Sequence, residues 1–252
     1  MTQKLKLLNG NTLKIIAAVA MLIDHIGYYL FPQVDALRII GRIAFPIFAF
    51  LIAEGARYTR NRIKYIGIMA GIGTILEVIL YLIKGNLKNM NILLTFTLSL
   101  AVIYAFELFK ISLFNKKSDI ISRGLYLVCF IGVSFLVMFV TRAVNGISFD
   151  YGFFGCLVPI FAAAPSLNRT DAPDCLKKLD IFPVRLLCMC IPLTLLCISS
   201  GGWRQWLCFI AIIPLALYSE QRGKYNLKYF FYAFYPLHIL LLILLHFIIY
   251  VW

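Results

Sequence analysis

An aspartate and a histidine stand side by side inside an apolar run, Asp24-His25 in MLIDHIGYYLF, and two arginines follow as Arg38 and Arg42 in LRIIGRIAFPIFAF. A charged side chain at membrane depth costs roughly 2.5–3.5 kcal/mol or more unless it is paired or hydrated. Groups kept at that cost point to chemistry or to a paired anchor. His25 titrates near neutrality and is therefore a candidate general base. Arg42 can stabilise a developing oxyanion or grip a carboxylate. Successive helical residues point about 100° apart, so Asp24 and His25 need not touch each other. Asp24 is equally a catalytic group and an anchor for Arg42, with His25 facing a cavity.

Further polar groups are spread through the other apolar segments. Glu77, Asp150, Tyr151 and His238 are candidate substrate-binding residues together with Arg38, expected to converge on an outward-facing pocket. His238 is the weakest of them, because a lone histidine in an apolar helix is more often packed than functional. Glu54 closes the apolar part of its segment and is followed by Arg57, Arg60 and Arg62. That cluster can bind phosphates or can simply mark the cytoplasmic side. Asn89, Asn91, Thr95 and Thr97 are expected either to bond between helices or to line the pocket.

The elements that position these groups follow from composition. The chain has 252 residues, of which 62% are hydrophobic and 14% charged, and its mean hydropathy is +0.89. Soluble domains are nearer half apolar and a quarter charged. The expected fold is all-α: a polytopic membrane helical bundle with about nine to ten transmembrane helices, forming one integral membrane domain over residues 1–252. Nine segments are delimited, at 13–32, 37–56, 64–83, 92–110, 124–142, 152–164, 186–200, 203–219 and 229–251. The sixth and seventh are short for a bilayer core about 30 Å thick. No small-residue cleavage site follows the first run, which is expected to be a retained helix. Pro46 removes a backbone donor and is expected to kink the second helix.

With the N-terminus placed inside, basic residues alternate between the two faces. Lys4, Lys6, Lys14, Arg169, Lys177, Lys178, Arg185 and Lys228 fall inside. Of the 24 lysines and arginines, all but Arg38, Arg42, Lys84, Lys88, Arg142 and Arg204 do so. This bias sets the orientation expected for a multi-pass protein of the bacterial cytoplasmic membrane, N-terminus cytoplasmic. It also accounts for the net charge of +13 without a nucleic-acid partner. The seven cysteines show no metal-ligand spacing and read as buried thiols, so no metal is expected. There is no phosphate loop, dinucleotide fingerprint or HExxH motif.

The segments LKIIAAVAMLIDHIGYYLFP and LRIIGRIAFPIFAFLIAEGARYTRNRIKYI resemble the TraX family, named for the conjugative F-pilin acetylase. NILLTFTLSL, DYGFFGCLVP and YFFYAFYPLHILLL agree with its layout more loosely, so the resemblance runs through essentially the whole chain. It implies a transmembrane acyltransferase-like protein, similar to the wider group that includes the lysosomal glucosaminide N-acetyltransferase and the acyltransferase-3 proteins. There, acetyl-CoA on the cytoplasmic side donates acetyl to an acceptor on the far side, and a membrane histidine is implicated. By motif, His25 carries the catalytic role. Arg42, Glu54, Asp150, Tyr151 and His238 carry over by the looser matches, Arg42 as a candidate catalytic residue, and Asp24 joins the catalytic candidates on the reading of the residues given above. Glu54, Arg57, Arg60 and Arg62 would hold acetyl-CoA as the acyl donor. The expected partners are acetyl-CoA, membrane lipids and an acceptor peptide, glycan or small amine. A proton-coupled permease is the rival, using the same charges as a proton relay.

Overall fold

The computed structural model describes residues 7–86, 88–142, 147–167, 170–225 and 227–250, with the side chains of Cys175 and Lys228 excepted. Of the basic residues assigned above to the inner face, Lys4, Lys6 and Arg169 and the side chain of Lys228 lie outside the described residues.

The elements in order are α1 (Gly10–Tyr29), α2 (Asp35–Gly41), α3 (Ala44–Tyr58), α4 (Arg62–Lys84), β1 (Asn89–Met90), α5 (Ile92–Phe114) and α6 (Ile120–Thr141). They continue with β2 (Ser148–Phe149), α7 (Gly152–Ala163), α8 (Asp174–Lys177), α9 (Phe182–Ser200) and α10 (Trp203–Trp206). A 3-10 turn (Leu207–Ala211), α11 (Ile212–Ala216) and α12 (Lys228–Tyr250) complete the chain. Asparagine side chains start three of the long helices by taking up orphan backbone donors. Asn9 accepts from Thr12 N, Asn61 from Lys64 N and Asn91 from Leu93 N. At the other end of α4, Gly85 adopts the left-handed conformation that closes a helix cheaply, φ +69°, and its N–H reaches Tyr81 O.

Among the described residues, seven helices are long and apolar enough to cross a membrane: Gly10–Tyr29, Asp35–Tyr58, Arg62–Lys84, Ile92–Phe114, Ile120–Thr141, Phe182–Ser200 and Tyr229–Tyr250. Two shorter apolar helices, Gly152–Ala163 and Trp203–Ala216, stand where the other two expected segments lie. The chain is therefore a multi-pass membrane protein of helical build. α6 shows the lipid-facing pattern plainly: it buries Val137 and Thr141 while Leu125, Val128, Ile131, Phe135 and Phe139 are exposed.

Two details differ from the sequence expectation. The seventh segment is not short. It begins at Phe182 and reaches 19 residues, which moves Arg185 from an inner loop into a helix, where its side chain is 1% exposed. The second segment is interrupted rather than kinked, with Arg42 and Ile43 in a turn between α2 and α3. Pro46 explains the position, since its ring lacks a donor for the carbonyl four residues back and crowds it. That carbonyl belongs to Arg42.

The chain forms two compact units, Met1–Leu51 with Cys197–Trp252, and Ile52–Leu196. In the first, α1 and α12 run in the same direction, because pairs along them rise together. Asn11 Nδ2 donates to Tyr225 O at 2.7 Å, just ahead of α12, His25 meets His238, Tyr29 O meets His246 Nδ1 at 2.8 Å, and Leu30 O accepts from Tyr250 at 2.5 Å. Parallel first and last helices require an even number of crossings before the last.

α1 and α2 approach closely at glycines. A Cβ on Gly41 would lie 2.2 Å from the Asp24 Cβ, and one on Gly27 would lie 2.8 Å from the Leu37 Cβ. The first contact is with the root of a side chain, which cannot rotate away. Gly41→Ala is expected to destabilise by about 1–3 kcal/mol as α2 is forced outward. Gly71→Ala in α4, where a Cβ meets nothing within 4 Å, is the control and is expected to be neutral or slightly stabilising. Unfolding midpoints in detergent compare the two; equal midpoints would disprove the close approach.

Candidate functional site

The first unit gathers Asp24, His25, Arg38, Arg42 and His238. Asp24 is the anchor of both arginines. Arg38 Nη1 donates to Asp24 Oδ2 at 2.5 Å and to Asp24 O at 3.1 Å, and Arg42 Nη2 reaches Oδ1 at 3.3 Å. Arg42 Nε also donates to Arg38 O at 3.2 Å, which ties the end of α2 to its own preceding turn. The break before Pro46 makes this possible, since it frees Arg42 from a continuous helix. Arg38 additionally lies 5.2 Å from the centre of the Tyr28 ring. With these contacts it serves to brace Asp24 and Tyr28.

Arg42 has a partner that sequence reasoning missed. Its Nη1 donates to Gln205 Oε1 at 3.1 Å. Arginine can only donate, so the amide oxygen must face it. Gln205 Nε2 is buried and has no hydrogen-bond partner among the described residues. No local signal marks Gln205: it sits in GGWRQW, in α10 at the start of the eighth expected segment.

His25 points to a different partner from Asp24, as their angular separation allows. Its Nδ1 lies 2.7 Å from His238 Nε2, and His238 Nδ1 lies 2.7 Å from Phe234 O. His238 is buried, 5% exposed. The weakest histidine candidate of the sequence is thus the direct neighbour of the strongest.

The remaining residues lie in the second unit. Glu77 is buried and its Oε1 accepts from Asn91 N at 2.5 Å and Asn91 Nδ2 at 2.8 Å, while Asn91 Nδ2 also donates to Gly73 O. Glu77 therefore fixes the start of α5 against α4. Thr95 Oγ1 donates to Asp150 O at 2.9 Å, and Asp150 N donates to Met90 O beside the two-residue β1–β2 pairing. Tyr151 precedes α7 with φ 59°, a conformation that bulky residues rarely adopt. Thr97 bonds within its own helix, to Leu93 O, and Asn89 accepts from Ser148.

Of the basic cluster, Arg57 pairs with Asp180 at 2.9 Å and Arg62 with Glu107 at 2.7 Å. Arg60 is exposed. Glu54 is buried in an ion pair with Arg185, whose Nε also donates to Ala162 O at 3.3 Å. A cleft between α3, α5 and α7 is lined by Ala53, Ala56, Arg57, Glu107, Lys110, Ser166 and Thr170. Lys110 Nζ donates to Ala164 O at 3.1 Å and Ser166 O at 2.6 Å, just past the end of α7. A cation there complements the negative helix terminus. The cleft sets the cations Arg57 and Lys110 beside the carboxylate of Glu107, with Ile103, Phe106 and Ile160 completing an apolar wall.

The TraX protein family model matches residues 9–246. An uncharacterized protein of Rickettsia prowazekii is 28% identical over 163 residues, covering 65% of this chain and 58% of its own length. The probable fimbrial assembly protein FimC, serogroup H1, of Dichelobacter nodosus is 24% identical over 242 residues, covering 91% of this chain and 92% of its own. No solved structure matches the chain at a significant level.

Proposed function

The chain belongs to the TraX family, and from that premise we propose that it is a membrane-embedded acetyltransferase with a pilus-related role. It takes acetyl from cytoplasmic acetyl-CoA and passes it to an amine or hydroxyl acceptor, a peptide N-terminus or a glycan, at the outer face. The observation that carries this reading is the hydrogen-bonded pair His25–His238 inside helices long enough to span a membrane. The name of the Dichelobacter relative supports the pilus connection.

In this reaction His25 removes the acceptor's proton as the acceptor nitrogen or oxygen attacks the thioester carbonyl. The new bond to carbon forms, the carbon–sulfur bond breaks, and the proton passes to the departing coenzyme thiolate. Arg42 and the unpartnered Gln205 N–H offer donors for the oxyanion. The coenzyme phosphates are assigned to the end of the second unit that carries Arg57, Arg60, Arg62 and Lys110. Glu54 is better accounted for as the partner of Arg185.

Incubation of the purified protein in lipid vesicles with acetyl-CoA tests the reading by free thiol release and thermal stabilisation. A proton-coupled permease gives neither. Arg60→Gln, at an exposed position, is expected to raise the KM for acetyl-CoA about tenfold, the value of one charge-assisted contact, with an unchanged unfolding midpoint. An unchanged KM would remove Arg60 from the coenzyme site.

A further inference from the structure

We infer that His238 is a positioning residue that holds His25 in the Nδ1–H tautomer and so leaves Nε2 of His25 as the nitrogen that takes the proton. The inference rests on the acyltransfer reading for its catalytic consequence, but not for the tautomer itself.

The assignment follows from a chain of two hydrogen bonds that begins at a group with no freedom. Phe234 O can only accept, so His238 Nδ1, 2.7 Å away, must carry a hydrogen. A neutral His238 then has a lone pair at Nε2. That lone pair is 2.7 Å from His25 Nδ1, which must therefore be the donor. A neutral His25 with its hydrogen on Nδ1 has its own lone pair at Nε2.

The alternative is a His238 protonated on both nitrogens, donating to His25 Nδ1. It would place a cation at a site 5% exposed. The ring neighbours of His238 are Phe234, 4.8 Å between centroids, Tyr235 at 5.7 Å and His25 itself. Among the described residues no carboxylate pairs with it. A buried charge without such a partner is strongly disfavoured, so the neutral chain is selected.

Geometry supports an in-plane bond rather than a stacked contact. The two imidazoles are 13° from coplanar with centroids 5.0 Å apart, so the close nitrogens meet edge to edge, where both lone pair and N–H lie. The register of the two helices is held by the Tyr29–His246 and Leu30–Tyr250 bonds further along. When His25 Nε2 takes a proton, the Nδ1–H bond to His238 becomes charge-assisted and strengthens.

Nitrogen-15 spectra of full-length histidine-labelled protein in nanodiscs at neutral pH test this directly. In the wild type, His25 is expected to show a protonated Nδ1 and an unprotonated Nε2; a protonated Nε2 overturns the inference whatever the activity. His238→Gln places an amide oxygen near the position of Nε2 and is expected to keep that spectrum and most of kcat. His238→Leu removes the acceptor and is expected to release the tautomer and lower kcat about 100-fold, with the KM for acetyl-CoA unchanged. An unchanged His25 spectrum in folded His238→Leu also overturns it. If the wild type shows the expected spectrum but no acetyl transfer, the acyltransfer reading falls and the tautomer assignment stands.

Discussion

Replacing His25 with alanine is expected to leave the protein folded and able to take up acetyl-CoA while slowing acetyl transfer by about 10²–10⁴-fold, the usual worth of a positioned general base. The fold should survive because the His25 side chain is only half-buried and the α1–α12 contact keeps the Tyr29–His246 and Leu30–Tyr250 bonds. Losing the ring does strand His238 Nε2, an acceptor buried in apolar surroundings. A water in the vacated space can answer it, so the stability cost stays within about 1–3 kcal/mol. Two measurements in the same vesicles separate the effects: thermal stabilisation by acetyl-CoA reports uptake, and product mass spectrometry reports transfer. Wild-type turnover by His25→Ala would rule out the histidine as base. Loss of both uptake and transfer would mean that His25 is structural.

The largest stability effect is expected at Glu54 and Arg185, which form an ion pair with side chains 6% and 1% exposed. Breaking a buried ion pair by removing one partner costs about 3–5 kcal/mol. Arg185→Met and Glu54→Leu are each expected to show that loss in reversible unfolding in detergent. The double variant is expected to be more stable than either single variant, because two apolar side chains can replace a buried pair at little cost. Losses that simply add would show that the two groups do not act as a pair. The same experiment separates Glu54 from the coenzyme: the double variant should bind acetyl-CoA with near wild-type affinity.

Helical character, segment order and most boundaries were legible from the chain, because hydropathy acts locally. A run of about twenty apolar residues satisfies its own backbone as a helix in lipid whatever its neighbours do. Asparagines at 9, 61 and 91 cap the following helices through contacts two or three residues away. Pro46 acts over four residues, so a disturbance in the second segment was readable, although its form, a break at Arg42, was not. The error at Arg185 has a clear cause. A basic residue ahead of an apolar run reads as a cytoplasmic flank, and only a distant carboxylate shows that it is buried.

By itself the sequence determined that this is a multi-pass helical membrane protein of the TraX family, with Asp24, His25, Arg38 and Arg42 as costly polar groups in its first two segments. Tertiary structure decided who meets whom. It gave Asp24 to both arginines, Gln205 to Arg42, Glu77 to Asn91, and His238 to His25 across 213 positions of chain. Propensity and hydropathy are sums over near neighbours, and no such sum carries the identity of a partner on another helix. A buried polar group takes whatever partner helix packing brings within about 3 Å, and that choice turned a lone histidine into half of a pair.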